Sequence, residues 1–239
     1  MKAIILTYDD RAPYVDLVLS SYNHFWKNCP LKFVIPYNDQ LPYYKDKFKN
    51  LSFIKTEKSV KKTMLTLLSN IPDKEFVYWC LDDIYIHSLC KLNALNDVYN
   101  FVVNHASGDA DGIRLRTMRM KKGKGYKIGE ESFYSINFTH YQFWFHYFIR
   151  SKVLKNIFFS DVIKNCFSIR AIGRERKKIK TPNYKILIPQ NNIAVFGETT
   201  RNGIPTKNCQ NGFNTYNIKT NIKKFSSIVI LNNTVKRTK

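Results

Sequence analysis

EFVYWCLDDIYI, residues 75–86, carries an unbroken apolar run from Phe76 to Leu81 and then two adjacent carboxylates, Asp82 and Asp83. A run of that length, bounded by polar residues, predicts a central strand covered on both faces. Its carboxyl end is where open α/β sheets bind ligands. Neighbouring carboxylates repel each other. A divalent cation relieves that repulsion, and a bound cation would in turn hold a phosphorylated ligand. The plainer reading is that the two aspartates end the strand and cap a helix over residues 89–104.

The residues around this run alternate between strand and helix signals. Ala3 to Thr7 reads as a first strand, and Pro13 opens a helix to Trp26 with Val15, Val18, Leu19 and Tyr22 on one stripe. Leu31–Ile35 and Leu51–Ile54 read as strands. Ser59 caps a helix over Val60–Leu68, Leu92–Val103 reads as a helix and Asp111–Arg116 as a strand. Such alternation predicts an open, mainly parallel sheet with helices on both faces, filling roughly the first 118 residues.

The second half has a different character. Residues 120–129 (MKKGKGYKIG) are basic and glycine-bearing, which suits a hairpin or flexible loop; no helix with a Lys-Ser/Thr start follows, so this is not a phosphate loop. Phe133–Phe138 reads as a strand, Gln142–Ile157 as an aromatic-rich helix and Asp161–Arg170 as another. Arg174–Lys180 is a solvated basic run. Short strands are expected at Ile186–Ile188, Ile193–Phe196 and Phe225–Leu231, with a polar, mobile segment over Arg201–Asn217.

Composition bounds the rest. A length of 239 residues suffices for one large domain, and 17 Phe and 15 Tyr argue against disorder over most of it. A formal net charge of +21 predicts attraction to something anionic: nucleic acid, an acidic membrane surface or a phosphorylated substrate. A merely solvated lysine surface is the alternative. Five scattered cysteines at no metal-binding spacing fit a reducing compartment. The opening MKAIILTYDD reads as a strand and not a secretion signal, and no window is apolar enough to span a membrane, so an intracellular, cytoplasmic protein is expected.

Three stretches resemble the GT-A glycosyltransferases, especially small bacterial and viral ones. They are the first strand with Tyr8-Asp9-Asp10-Arg11 and the helix running to Pro30; the Val60–Leu68 helix, Ile71-Pro72-Asp73 and the strand into Leu81-Asp82-Asp83; and Gln142–Leu154 with the later Asn192–Gly197. The resemblance implies a nucleotide-sugar-binding half over residues 1–118 and an acceptor-binding half over 119–239 of the same compact domain, with a flexible basic C-terminal region. It implies transfer of a sugar from a nucleotide-sugar donor, by family frequency UDP-linked, to a glycan, lipid-linked or protein acceptor, with Mn²⁺ or Mg²⁺ bridging the diphosphate. Asp83 and Asp82 would hold the metal. Thr7, Tyr8 and Asp9 would lie by the base and ribose, Arg11 by a phosphate, and Gln142 by donor or acceptor. The basic surface would favour an anionic acceptor or peripheral contact with an anionic membrane.

Two departures from the family pattern stand out. Its acidic motif is Asp-x-Asp, and here the first position is Leu81. Its Trp-x-x-Glu catalytic base corresponds to Phe167-Ser168-Ile169-Arg170 before Gly173, with Arg170 in place of the acid. Asp161, Glu175 and Glu198 are the substitute bases, unranked. His140 or His146 is a conceivable third metal ligand, although packing or surface roles suit each better. Trp26 and Trp79 belong to the core, and one of Trp144, Phe145, Tyr147 and Phe148 is a candidate sugar platform. The rivals are a nucleic-acid binder, a nucleotidyltransferase and a catalytically inactive module of the same shape. The first lacks any recognition signature, and the second lacks a glycine-rich loop after the first strand.

Overall fold

The computed structural model of the chain describes residues 1–104, 110–118, 123–138, 144–164, 166, 169–179, 182–232 and 234–237. Strand β1 (Lys2–Leu6), helix α1 (Ala12–Phe25), β2 (Lys32–Tyr37), β3 (Leu51–Lys55), α2 (Val60–Leu68) and β4 (Phe76–Leu81) come first. Pro13 lies in the first turn of α1, where a missing N–H is harmless. Its apolar stripe, Val15, Val18, Leu19 and Tyr22, is at most 2% exposed. Ser59 caps α2 by accepting the Lys62 N–H at 3.4 Å.

β5 (Ile84–Leu89), α3 (Leu92–Asn104), β6 (Gly112–Arg114), β7 (Lys124–Ile128), β8 (Glu131–Phe138), β9 (Tyr147–Arg150) and α4 (Ser151–Phe158) follow. The chain continues through α5 (Ile169–Glu175), β10 (Tyr184–Pro189), β11 (Ala194–Glu198), the short pair β12 (Thr200–Arg201) and β13 (Ile204–Pro205), α6 (Lys207–Thr215), β14 (Ile228–Leu231) and β15 (Thr234–Arg237). The main sheet is ordered β3-β2-β1-β4-β9-β6-β10-β8-β7, so it crosses both halves of the sequence. Only β9 and β8 run against the other strands, which makes the sheet mainly parallel in direction. Helices flank it, and a second sheet, β15-β14-β11-β5, packs alongside.

Asp82 and Asp83 form the two-residue turn between β4 in the main sheet and β5 in the second. They therefore do not cap α3, because β5 intervenes. β4 is a fully covered strand, with Val77, Tyr78, Trp79 and Cys80 at most 1% exposed. β5 is held on one side by α1, whose Ser21 Oγ accepts the Ile86 N–H at 3.2 Å, and on the other by antiparallel pairing with β11.

Two expectations are corrected. Of the helix expected from Gln142 to Ile157, the described residues are helical only from Ser151. Residues 147–150 are instead β9, inserted antiparallel between β4 and β6. Phe145 to Ile149 is continuously apolar apart from one buried histidine, so it has no outward face for a surface helix; a strand covered on both faces takes it. The true 3.6-residue stripe is Val153, Leu154, Ile157 and Phe158, all inside. The segment Arg201–Asn217, expected to be mobile, contains a hairpin and α6. Thr206 caps that helix by accepting the Cys209 N–H at 3.2 Å, and Cys209 and Phe213 are buried. The expected helix over Asp161–Arg170 is a 3-10 turn at Asp161–Ile163, with α5 starting at Ile169. All five cysteines are free. Among the described residues no helix is long and apolar enough to cross a membrane.

Candidate functional site

The carboxyl ends of β1, β2 and β4 open onto a cleft of about 490 Å³. Parallel pairing points these ends the same way, so loops distant in sequence meet there. Thr7, Tyr8 and Asp9 come from the loop after β1, Asn38 and Asp39 from the loop after β2, and Asp82 and Asp83 from the turn after β4. Lys58, Ser59 and Trp144 complete the walls. Six lining residues are acidic (Asp9, Asp10, Asp39, Glu57, Asp82 and Asp83), a third of the chain's 18 acids, although its net charge is +21.

Asp82 is fully engaged. Its Oδ2 accepts from Thr7 Oγ1 at 2.8 Å and from Arg11 Nε at 3.2 Å, while its Oδ1 accepts from Arg11 Nη2 at 3.1 Å. This forked geometry is the strong form of an Arg–carboxylate pair. The Arg11 guanidinium lies 3.9 Å from the Tyr14 ring centroid. Burial opposes its charge, but the Asp82 carboxylate more than compensates and raises its pKa above the ordinary value. Arg11 thus meets a carboxylate and not an open phosphate site.

Asp83 is the opposite case. Its Oδ1 is buried and has no hydrogen-bond partner among the described residues. Burial, then repulsion from Asp82 and from Glu198, pushes its pKa up to about 7 against the opposing pull of Arg11. Its main-chain carbonyl accepts the Thr199 N–H at 2.7 Å. This bond brings the end of β11, and with it Glu198, to the turn. Glu198 pairs with Arg201 at 3.1 Å, its side chain 13% exposed. Of the three candidate bases only Glu198 adjoins the turn. Asp161 lies exposed in the 3-10 turn after α4, and Glu175, at the end of α5, pairs with Lys178 at 2.6 Å. None of the three lines the cleft itself; Glu198 stands behind the turn that does.

Asp9 builds the cleft wall. It accepts three backbone N–H bonds, from Asn38 and Asp39 at 2.8 Å and from Gln40 at 3.1 Å. Burial works against its ionisation, but these donors outweigh it and hold its pKa below the usual carboxylate value. Tyr8 beside it is 54% exposed. Asp39 pairs with Lys58 at 2.6 Å across the cleft lip. The sequence reading missed this pair, although Asn38 and Asp39 end β2 just as Asp82 and Asp83 end β4. A Cβ on Gly173 would stand 2.2 Å from Trp144 Cζ2, so α5 packs on the Trp144 ring only because residue 173 is glycine.

His146 is 1% exposed and committed at both nitrogens. Nε2–H donates to the Leu81 carbonyl at 2.9 Å, which leaves Nδ1 to accept from Tyr22 Oη at 2.8 Å. Tyr22 in turn accepts from Tyr78 at 2.8 Å. Burial lowers the His146 pKa to about 4. It is a packed, neutral histidine and not a metal ligand. Gln142 and His140 lie outside the described residues, as do Phe167 and Ser168. Among the described residues no cluster of three His, Cys, Asp or Glu side chains forms a cation site. At the carboxyl end of β6 Arg116 is buried with its guanidinium 3.6 Å from the Phe145 centroid; burial, then Arg114, lowers its pKa to about 10 while Glu198 opposes the shift. Phe145 is thereby covered, and Trp144 is the aromatic facing the cleft.

No protein-family model matches the chain, and no curated protein sequence does. The chain is similar to solved structures of GT-A glycosyltransferases. One is S. aureus TarS residues 1–349 (17% identity, TM-score 0.49, covering 81% of this chain and 58% of that one), and another is the same protein in complex with UDP (18% identity, TM-score 0.47, covering 81% and 59%). A third is the galactosyltransferase LgtC in complex with donor and acceptor sugar analogues (14% identity, TM-score 0.42, covering 77% and 67%). These are likenesses of general architecture at low identity, and the chain spans well under two thirds of the TarS fragment.

Proposed function

We propose that the chain transfers a sugar from a nucleoside-diphosphate donor, UDP-linked in the first instance, to a hydroxyl of a glycan, lipid-linked or protein acceptor. The Asp82–Asp83 turn carries this reading. One carboxylate is locked to Arg11 and Thr7, and the other keeps a buried oxygen that no group among the described residues satisfies. A cleft lined by six acidic side chains repels a diphosphate unless a cation joins the two. Mn²⁺ or Mg²⁺ fits: Asp83 would hold it, and diphosphate and water oxygens would supply the remaining ligands, as suits a hard cation. Asp82, engaged at both oxygens, is left a positioning role. When bound, the ion acts as a Lewis acid toward the leaving diphosphate.

The chain's own side chains do the rest. Tyr8 stacks on the nucleobase from the exposed lip, and Asp9 holds that lip in place through its three backbone bonds. Trp144 offers an apolar face to the sugar. Glu198 accepts the proton of the attacking hydroxyl, with Arg201 orienting it. Melting temperatures with UDP and a panel of UDP-sugars, with and without Mn²⁺, test the reading. Stabilisation that needs both nucleotide and metal, and is lost in Asp83→Ala, is expected. Equal stabilisation of Asp83→Ala, or none in the native protein with any nucleotide, overturns it.

A further inference from the structure

A second concave surface lies at the other end of the same strands. A cavity of about 560 Å³ opens between the C-terminal half of α1 and the segments entering β2 and β3, walled by Leu19, Tyr22, Leu31 and Leu51. A cavity of about 360 Å³ adjoins it, bounded by His24, Lys27 and Tyr216. The two share Asn23, Lys47 and Phe48, so they form one groove with the Phe48 ring at its middle. Leu31 and Leu51 stand at the amino ends of β2 and β3, whereas Leu6, Asn38 and Leu81 at carboxyl ends border the acidic cleft. Because β1 to β4 are parallel, groove and cleft occupy opposite ends of the sheet.

The groove's chemistry is also opposite. Among the described residues no Asp or Glu lines either cavity, while Lys27, Lys47 and Lys49 do. Lys47 is tied to the buried Asp16 at 2.6 Å. Lys27 and Lys49 are exposed and make no ion pair among the described residues, and each lines a different one of the two cavities. Three exposed amides, Asn23, Asn28 and Asn50, line the larger cavity. Asn28 and Asn50 adopt left-handed backbone conformations (φ 62° and 60°), which turn the chain sharply at the groove rim and suit asparagine.

We propose that this groove binds an acidic oligosaccharide. Side-chain amides both donate and accept, which matches sugar hydroxyls. The half-buried Phe48 ring, with Lys47 Nζ 5.1 Å from its centroid, supplies one apolar face of sugar-ring size. The spaced lysines supply charge for carboxylate or phosphate substituents. Two joined concavities admit a chain of several units and not the plane of a bilayer. Phe48 and Tyr216 are both half-buried and do not make the run of exposed stacking platforms that a nucleic-acid strand calls for. The site stands apart from the transferase reading and does not depend on it.

Calorimetric titration of the full chain at 150 mM salt, on the order of physiological ionic strength, tests the assignment. The probes are a uronic-acid hexamer, a neutral glucose hexamer, single-stranded DNA of matched charge and anionic phosphatidylglycerol vesicles. The double variant Lys27→Glu/Lys49→Glu is compared with Lys124→Glu/Lys127→Glu, which makes the same charge change on β7 at the far edge of the sheet. The expected result is uronate binding at least about tenfold tighter than that of the neutral hexamer, weakened about tenfold or more in the groove variant and retained in the edge variant. Absence of uronate binding, equal loss in both variants, or groove-dependent binding of DNA or vesicles in preference to the uronate each overturns it.

Discussion

The carboxyl ends of β1 to β4 gather six acidic side chains around one cleft, while the amino ends of β2 and β3 border a groove lined by lysines and, among the described residues, by no acid. Strands β2 and β3 enter from the groove and lead out to the cleft. Their parallel direction sorts the loops into two groups, and each group carries its own charge. In a protein of net charge +21 the lysine-lined groove is unsurprising, since most surfaces of such a chain are basic. The acidic cleft is the informative end. Burial, and then the charge of Asp82 beside it, raises the pKa of Asp83, while Asp82 is paired with Arg11. The charge that matters for chemistry is local and opposite in sign to the whole.

Substitutions at the acidic end should break this contrast most severely. Replacement of Glu198 by Gln removes the proposed proton acceptor with little change in shape. Initial-rate measurements are expected to show kcat lower by about 10²–10⁴-fold with donor KM little changed. An unchanged kcat would move the base elsewhere. Next in size is Arg11→Ala, which leaves the Asp82 carboxylate enclosed without its counter-charge. Urea titration should show a loss of roughly 3 kcal/mol, scaled from buried pairs. Much of that loss should be recovered in Arg11→Ala/Asp82→Ala, where no unpaired charge is left behind.

A third effect sharpens the comparison through pH. The Asp83 carboxyl titrates near 3.8 when unfolded and at about 7 when folded. The folded state therefore holds an extra proton between these values, and stability falls as pH rises through that window. In Asp83→Asn this slope disappears, so its melting temperature should exceed that of the native protein above pH 7, with the gap closing toward pH 4. The same proton must leave before a cation binds, so Mn²⁺-dependent stabilisation by nucleotide should weaken below about pH 7. Variants of Lys27 and Lys49 are expected to leave both titrations unchanged, because they lie at the other end of the strands.

Reading by pattern worked where local and tertiary preferences agree. β4 was legible because six consecutive apolar residues have only one favourable environment, a covered strand. α2 was legible because its cap, Ser59, and its stripe lie within one short window. β9 was misread as helix because an aromatic run has no period of its own; only its place between β4 and β6 distinguishes strand from helix. α6 was missed because its composition is polar and its few buried residues, among them Cys209 and Phe213, pack on neighbours distant in sequence.

The sequence by itself determined that a covered strand ends in two carboxylates, and that strands and helices alternate through the first half. Both follow from short-range hydrophobic pattern and capping chemistry, which act within a few residues. Only the tertiary structure decided that Asp82 belongs to Arg11 and Thr7, that Asp83 is left with an unsatisfied oxygen, and that Glu198, and neither Asp161 nor Glu175, joins them. Those outcomes depend on which loops a parallel sheet brings together and which groups it buries, and neither burial nor partnership between residues more than 70 positions apart is encoded in any local window.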